Sequence, residues 1–369
     1  MVNVAFTGGG TGGHIYPGLA VAAELNNLLG KRFSGQEFRL FWIGSSSGMD
    51  RGLVEEAGIE FFGVPSGKLR RYFSLRTIID FFKVILGFFA SRKILKNKKA
   101  CLLFSKGGYV SVPPCAAAAS LGIPVFTHES DFSPGLATRI NSRFVNGRIF
   151  TAYEDTAKFF PENIRNLITV TGNPVRSEFR SADPARGRAF LGLGDDARIL
   201  LILGGSQGAT EINELVKNAL PGLTEIYTVV HQTGPNLSWD IPASDRYKPF
   251  AYIKEEMPHV MAAAELVMGR SGAGIWEWAV LGKPMLLLPL RGQGTRGDQV
   301  ENAQYFQKAG AAQILDKNIS SQELLLAVNS IAQDASKRKT MSAESLKTGE
   351  KNGAKIIAQI LAEKTGGDK

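Results

Sequence analysis

Short, continuously apolar runs separated by longer stretches of helical spacing organise this chain. The runs are Val2–Phe6, Arg39–Ile43, Cys101–Phe104, Pro124–Thr127, Ile168–Val170, Ile199–Leu203, Ile226–Val230, Glu265–Met268 and Met285–Pro289. They do not alternate apolar with polar positions, which is the pattern of parallel strands covered on both faces. Helix-like segments such as Pro17–Leu29 lie between them, so right-handed βαβ units and an α/β fold are predicted. The tail after about Met341 lacks strand signals, and Ala354–Leu361 reads as a closing helix.

The pattern repeats. Val2–Phe6 runs into Gly8-Gly9-Gly10-Thr11-Gly12-Gly13, and Ile199–Leu203 runs into Gly204-Gly205-Ser206-Gln207-Gly208. Later in each half a strand meets another glycine turn, Gly107-Gly108 in the first and Gly269-Arg270-Ser271-Gly272 in the second. Each half then reaches a Leu-Gly-x-Pro turn, at 121–124 and 281–284. Two similar doubly wound parallel-sheet domains explain this better than one large sheet. The predicted division is residues 1–171, a hinge at 172–176 (Gly-Asn-Pro-Val-Arg), residues 177–340, and a helical tail 341–369 that returns to the first domain.

Glycines between a strand and a helix admit a ligand close to the backbone and leave helical N–H groups free for an anion. Four such loops point to phosphate-bearing ligands, although any doubly wound fold uses glycine at tight turns. Residues 8–13 match G-x-G-x-x-G, but the second strand ends in Gly44-Ser45-Ser46-Ser47 instead of the acidic residue a dinucleotide site requires. No G-x-x-x-x-G-K-[ST] occurs. His14 stands where a helix N-terminus disfavours the imidazolium, which suits a general base; the bland alternative is a helix cap. His128-Glu129 ends a strand at the same sheet edge, either to orient a substrate or to tie down the Ser133-Pro134-Gly135 turn.

The 369 residues suit two domains, and two cysteines and four histidines argue against a disulfide framework or a metal site. The first residues lack the pattern of a secretory signal, and no apolar run is long enough to span a bilayer, so a cytoplasmic protein is expected. The net charge of +9 is local. Residues 68–99 hold ten Lys/Arg and one acidic residue, Asp80, which leaves the remainder neutral. This gives nucleic acid little support. Within the segment Leu75, Ile78, Ile79, Phe82, Leu86 and Phe89 form a stripe predicted to face a core. Phe81, Val84 and Phe88 fall on another side, with Arg70 and Arg71 before them and Arg92 and Lys93 after. A second apolar stripe between basic ends predicts contact with an anionic membrane surface; the alternative is a helix packed on both sides.

The residues at 8–18, Gly-Gly-Gly-Thr-Gly-Gly-His-Ile-Tyr-Pro-Gly, resemble the opening motif of the MurG family of bacterial N-acetylglucosaminyltransferases. Gly107-Gly108-Tyr109-Val110-Ser111, His128-Glu129, Pro134-Gly135-Leu136-Ala137, Gly172-Asn173-Pro174-Val175-Arg176, Gly204–Ala209, Arg270–Ala273, Asp298-Gln299 and Asn302-Ala303 follow in family order. The resemblance implies two Rossmann-like domains facing across a cleft, the GT-B arrangement. It also implies an inverting, metal-independent transfer from UDP-N-acetylglucosamine to the 4-hydroxyl of the muramyl sugar of lipid I, forming lipid II, with no cofactor. By it, His14 is the base. Thr11, Gly12, Gly13, Arg176, Ser206, Gln207, Ile253, Glu277, Gln299 and Asn302 contact the donor, Ile253 reading uracil and Glu277 the ribose. Gly13, His14, Tyr109, His128, Glu129 and Asp131 meet the undecaprenyl-linked acceptor. The implied location is peripheral, on the cytoplasmic face of the bacterial inner membrane, among cell-wall synthesis and division proteins.

Three departures stand out. Asp131 replaces the usual Asn, the interval from Gly272 to Glu277 is one residue short, and the Arg291–Gly297 loop is long. The competing readings are a GT-B enzyme for another lipid-linked acceptor and a non-catalytic nucleotide- or nucleic-acid-binding protein.

Overall fold

The computed structural model describes residues 2–32, 38–47, 50–67, 75–205, 208–235, 242–292 and 295–365, with the backbone alone for 75–78. Contacts divide the chain into unit 1, Met1–Arg176 with Lys351–Lys369, and unit 2, Ser177–Glu350.

Unit 1 contains β1 (Val2–Thr7), α1 (Gly12–Arg32), β2 (Phe38–Ser45), α2 (Asp50–Glu56), β3 (Glu60–Val64) and α3 (Leu75–Asn97). It continues with β4 (Leu102–Ser105), α4 (Val112–Ser120), β5 (Val125–Glu129), α5 (Leu136–Asn141), β6 (Ile149–Thr151) and β7 (Ile168–Val170). Unit 2 begins with α6 (Ser177–Arg180), α7 (Pro184–Leu191), β8 (Ile199–Leu203), α8 (Thr210–Ile226), β9 (Thr228–Gln232), β10 (Tyr247–Phe250) and α9 (Met257–Ala263). There follow β11 (Leu266–Gly269), α10 (Ile275–Val280), β12 (Met285–Leu287), α11 (Asp298–Lys308), β13 (Ala312–Ile314), α12 (Ser321–Ala332) and α13 (Ala335–Thr348). Helix α14 (Gly353–Thr365) belongs to unit 1, while α13 packs on α10 and stays with unit 2.

The sheets run β3-β2-β1-β4-β5-β6-β7 and β10-β9-β8-β11-β12-β13, with the paired strands parallel. From their centres outward both have the same order, and the winding reverses between β1 and β4 and between β8 and β11. A crevice at the carboxyl ends of such strands is where ligands bind in open α/β sheets. The repeated glycine turns follow these four strands. Valines, leucines and phenylalanines of the central strands are enclosed, with Phe6, Phe104, Phe126 and Phe150 on one face of the first sheet and Phe41, Leu103 and Val125 on the other. Helix α14 closes the first of these faces with Ile357, Ala358 and Leu361 against α1.

Two local expectations change. Helix α1 begins at Gly12 and not at Pro17, so His14 lies inside its first turn, with His14 N–H on the Thr11 carbonyl at 3.1 Å. Pro17 lacks the N–H that would reach Gly13, which this early costs a single bond.

The faces of α3 are inverted. Ile79, Phe82, Leu86 and Phe89, predicted to face a core, are exposed at 57%, 59%, 59% and 62%. Of the predicted outward set, Phe81 is exposed, whereas Val84 and Phe88 are half-buried and Phe88 packs against the core. Small residues decide this. A Cβ on Gly87 would overlap the Pro65 carbonyl and stand 3.3 Å from Pro113 Cβ, and one on Gly67 would overlap the Asp80 carbonyl. The helix seats its Gly87–Ser91–Leu95 side tightly on the 65–67 segment and α4, which turns the bulkier side outward. Exposed Lys83, Arg92, Lys93 and Lys96 border that side; Arg70 and Arg71 lie outside the described residues. Among the described residues no helix is long and apolar enough to cross a membrane.

Candidate active site

In unit 1 the loops after β1, β4 and β5 form one edge. Gly107 and Gly108, both left-handed with φ of 87° and 78°, wrap the His14 ring: a Cβ on Gly108 would stand 3.1 Å from His14 Cδ2, and one on Gly107 3.8 Å from Nδ1. A side chain on Gly108 would also overlap the Gly9 carbonyl, and both left-handed positions favour glycine, so backbone borders the imidazole here. Thr11 and Gly13 are exposed at the head of α1, and Gly12 and His14 are half-exposed. Tyr109 covers Gly10, where a Cβ would lie 2.7 Å from its ring; burial, with Asp50 and Asp80 nearby, pushes the phenol pKa up.

The loop after β1 is held by Asp50, which the sequence reading missed. This enclosed carboxylate accepts the Gly10 N–H at 3.1 Å and the Ser45 N–H at 3.3 Å. Trp42 Nε1 donates to the Gly8 carbonyl at 3.0 Å and fixes the same loop from β2.

Glu129 ties down the turn after β5, accepting the Asp131 and Gly135 N–H groups, each at 3.0 Å. His128 is fully enclosed and its Nε2 donates to the Gly172 carbonyl at 3.1 Å. Burial and then Lys106 hold its pKa well below the ordinary imidazole range, so it is neutral and secures the 172–176 segment. Lys106, 1% exposed, donates to Ser130 Oγ at 2.6 Å, and Ser130 donates to Asn173 Oδ1 at 2.6 Å. Burial brings the Lys106 ammonium down to about 8 against the opposing pull of Glu129 and Asp131. The added carboxylate of Asp131 therefore acts on a cation. Arg176 is half-buried with its guanidinium 4.7 Å above the Tyr16 ring.

The edge of unit 2 is held largely by neutral groups, with one ion pair between its loops: Arg270 after β11 donates to the Leu288 carbonyl at 2.9 Å and to Glu211 of α8 at 2.6 Å. Gly208, φ 77°, leads into α8, and its Cβ position is filled by the Thr233 carbonyl. Asn213 of α8 donates to that carbonyl at 2.9 Å and accepts from His231 Nε2 at 3.2 Å, while His231 Nδ1 meets the Tyr247 hydroxyl at 3.2 Å. Burial lowers the His231 pKa to about 4. Gln232 Oε1 accepts the Ile253 N–H at 2.9 Å. Ser206 and Gln207 lie outside the described residues.

Residues 273 and 274 form a turn in the short interval before Glu277, with Ile275 N–H on the Gly272 carbonyl at 3.1 Å. Glu277 is half-exposed in the first turn of α10. Gln299, half-exposed, accepts the Leu290 N–H through Oε1 at 2.9 Å. Asn302 differs from its expectation: it is fully enclosed and donates to the Ser271 carbonyl at 3.0 Å, so it shapes the turn from within. Arg291 and Arg296 face Asp316 and Asp298 at 3.8 and 3.2 Å.

Two parallel sheets of one winding order, each with glycine loops at its switch point, define the double-Rossmann GT-B class. The descriptions that match are the glycosyltransferase family 28 N-terminal domain over residues 4–149 and its C-terminal domain over residues 199–358. A Treponema denticola protein is 48% identical over 336 residues, covering 85% of this chain and 84% of its own length. A Shouchella clausii protein is 40% identical, covering 88% and 89%. Both are named UDP-N-acetylglucosamine–N-acetylmuramyl-(pentapeptide) pyrophosphoryl-undecaprenol N-acetylglucosamine transferase. The crystal structure of Acinetobacter baumannii MurG has the same fold, with TM-score 0.72 at 23% identity, covering 98% of this chain and 100% of that one. The chain belongs to the MurG family within glycosyltransferase family 28.

Proposed function

We propose that the protein transfers N-acetylglucosamine from UDP-N-acetylglucosamine to the muramyl 4-hydroxyl of lipid I, forming lipid II. The observation that carries this is identity of 40–48% over 85–88% of the chain to relatives named for that transfer.

Unit 2 takes the donor. The loop before α8, with Ser206 and Gln207, and the first N–H groups of that helix face the diphosphate and stabilise the charge it gains on leaving. Glu277 holds the ribose hydroxyls, the Ile253 backbone the uracil, and Gln299 the sugar hydroxyls; Asn302 supports Gln299 through the Ser271 turn. Arg176 supplies a further positive charge to the donor.

Unit 1 takes the acceptor at Thr11, Gly12, Gly13 and Tyr109. His14 accepts the proton of the 4-hydroxyl as that oxygen bonds to the anomeric carbon. The carbon–oxygen bond to the diphosphate breaks with its electron pair going to UDP, and the centre inverts. The leaving charge is met by N–H groups and not by a metal ion. The exposed face of α3, Phe82, Leu86 and Phe89 with Phe81, enters the lipid headgroup region where the acceptor is anchored, and the basic residues beside it attract anionic lipid.

UDP release with UDP-N-acetylglucosamine and a short-chain lipid I analogue tests this. Release that depends on the muramyl acceptor is the expected result, and none with any such acceptor defeats the assignment.

A further inference from the structure

Lys106 has no part in the chemistry above, yet it is a cation with 1% of its surface exposed at the edge where the acceptor is placed. It follows directly on β4 and precedes the two glycines around His14, and its N–H is fixed on the Thr7 carbonyl at 2.8 Å. Its side chain runs under the loops to Ser130, and Ser130 passes the chain of bonds to Asn173.

The charged and titratable groups around it come from each neighbouring element. His128 and Glu129 lie on β5, Asp131 on the turn that follows, His14 across Gly107–Gly108, and Asp50 beyond the loop after β1. His128 is held neutral. Two exposed cations also touch the turn, Arg139 Nε donating to the Pro134 carbonyl at 3.1 Å and Lys158 lying 4.9 Å above the Phe132 ring, whereas Lys106 is the enclosed cation, bonded to Ser130 between the Glu129 and Asp131 carboxylates that act on it. Both carboxylates belong to the turn that begins at the carboxyl end of β5. A diphosphate approaching that turn meets the two carboxylates, offset by the enclosed Lys106 and by the solvent-screened Arg139 and Lys158, and the offset shrinks once the Lys106 ammonium loses its proton.

We propose that Lys106 is a positioning residue that offsets the charge of the Glu129–Gly135 turn and so sets the affinity of unit 1 for its anionic, diphosphate-bearing acceptor. This rests on the lipid I reading. The ammonium is charged below about 8 and neutral above it, so acceptor binding weakens as pH rises through that value. A diphosphate diester does not titrate there.

The test is steady-state kinetics of the full chain with UDP-N-acetylglucosamine and a short-chain lipid I analogue between pH 6.5 and 9.5. In the unaltered protein the acceptor KM is expected to rise about tenfold across this range, kcat to change less, and the donor KM to show no matching rise. K106M is expected to have the raised acceptor KM already at pH 7 and to lose the pH dependence. An acceptor KM in K106M that matches the unaltered protein at every pH overturns the inference while leaving the transferase reading in place. No turnover by the unaltered protein with any muramyl acceptor overturns that reading instead.

Should K106M fail to fold, S130A decides the matter. It keeps the cation but removes the oxygen that receives its proton, so the midpoint of the KM rise should move to lower pH. An unmoved midpoint overturns the inference.

Discussion

In unit 1 the side chains beneath the strand-end loops include Asp50, Lys106 and Glu129, all almost completely enclosed. In unit 2 the same work falls to Asn213, His231, Gln232 and Asn302, which are neutral at pH 7. Among the described residues no Asp, Glu, Lys or Arg of unit 2 is comparably enclosed, although the Arg270 side chain, 14% exposed, pairs with Glu211 at this edge and Lys283 is half-buried over the carbonyls of Ala262 and Ala264. The strand order is the same in both, so topology chooses the edge and the side chains under it choose how that edge responds to charge. A buried carboxylate grips N–H groups more strongly than an amide does, at a larger cost of desolvation. Loops held by charge are stiff but tied to protonation, and loops held by amides keep their shape across pH.

The sharpest way to break this comparison is to remove one residue from each edge. H14A should lower turnover by about 10²–10⁴-fold, the usual contribution of a general base, with UDP affinity retained in calorimetry. E277A should do the reverse and weaken UDP binding. If H14A turns over normally, the base lies elsewhere.

A smaller effect is expected on stability. D50A strands the Gly10 and Ser45 N–H groups and should cost about 2–3 kcal/mol in urea unfolding. N302A, which removes a neutral bond, should cost about 1–2 kcal/mol. Equal losses would remove the distinction between charged and neutral support.

The smallest effect concerns surfaces. Unit 1 carries six exposed large apolar residues on α3 alone, Ile79, Phe81, Phe82, Ile85, Leu86 and Phe89, whereas those of unit 2 are scattered singly. Replacing Phe82, Leu86 and Phe89 by Ser should weaken co-sedimentation with anionic vesicles about tenfold, with the melting temperature nearly unchanged. Replacing Leu326 and Leu346 of unit 2 should leave it unaltered. Unchanged sedimentation of the α3 variant would return that face to a merely exposed one.

The fold was legible where strands are central. Runs matching β1, β2, β4, β5, β8, β9, β11 and β12 stand out because both faces of these strands are covered, whereas β7, a half-buried sheet edge, was read from its Ile-Thr-Val run alone. Three of the four unread strands, β3, β10 and β13, are sheet edges, and the fourth, β6, has three residues. Strands as short or as half-covered as these leave little apolar signal. The α3 faces were misread because periodicity ranks bulk, while Gly67 and Gly87 let the less bulky side approach most closely. The places of His14, beside the glycines at the head of α1, and of Glu129, at the end of β5, were legible. Asp50, Lys106 and Gln232 were not, since a charged or amide side chain beside a loop reads as solvated until packing encloses it. For Lys106 a signal did exist: a lysine between an apolar strand and two glycines has no surface to reach.

The return of α14 to unit 1 bears on the order in which the chain can fold during synthesis. Ile357 and Leu361 belong to the same apolar cluster as Leu25 and Leu29 of α1, yet more than 300 residues separate them in the sequence. Unit 2 is contiguous and can complete its core as soon as it has left the ribosome. Unit 1, translated first, keeps one side of its sheet open until the last helix arrives, so it is finished after unit 2.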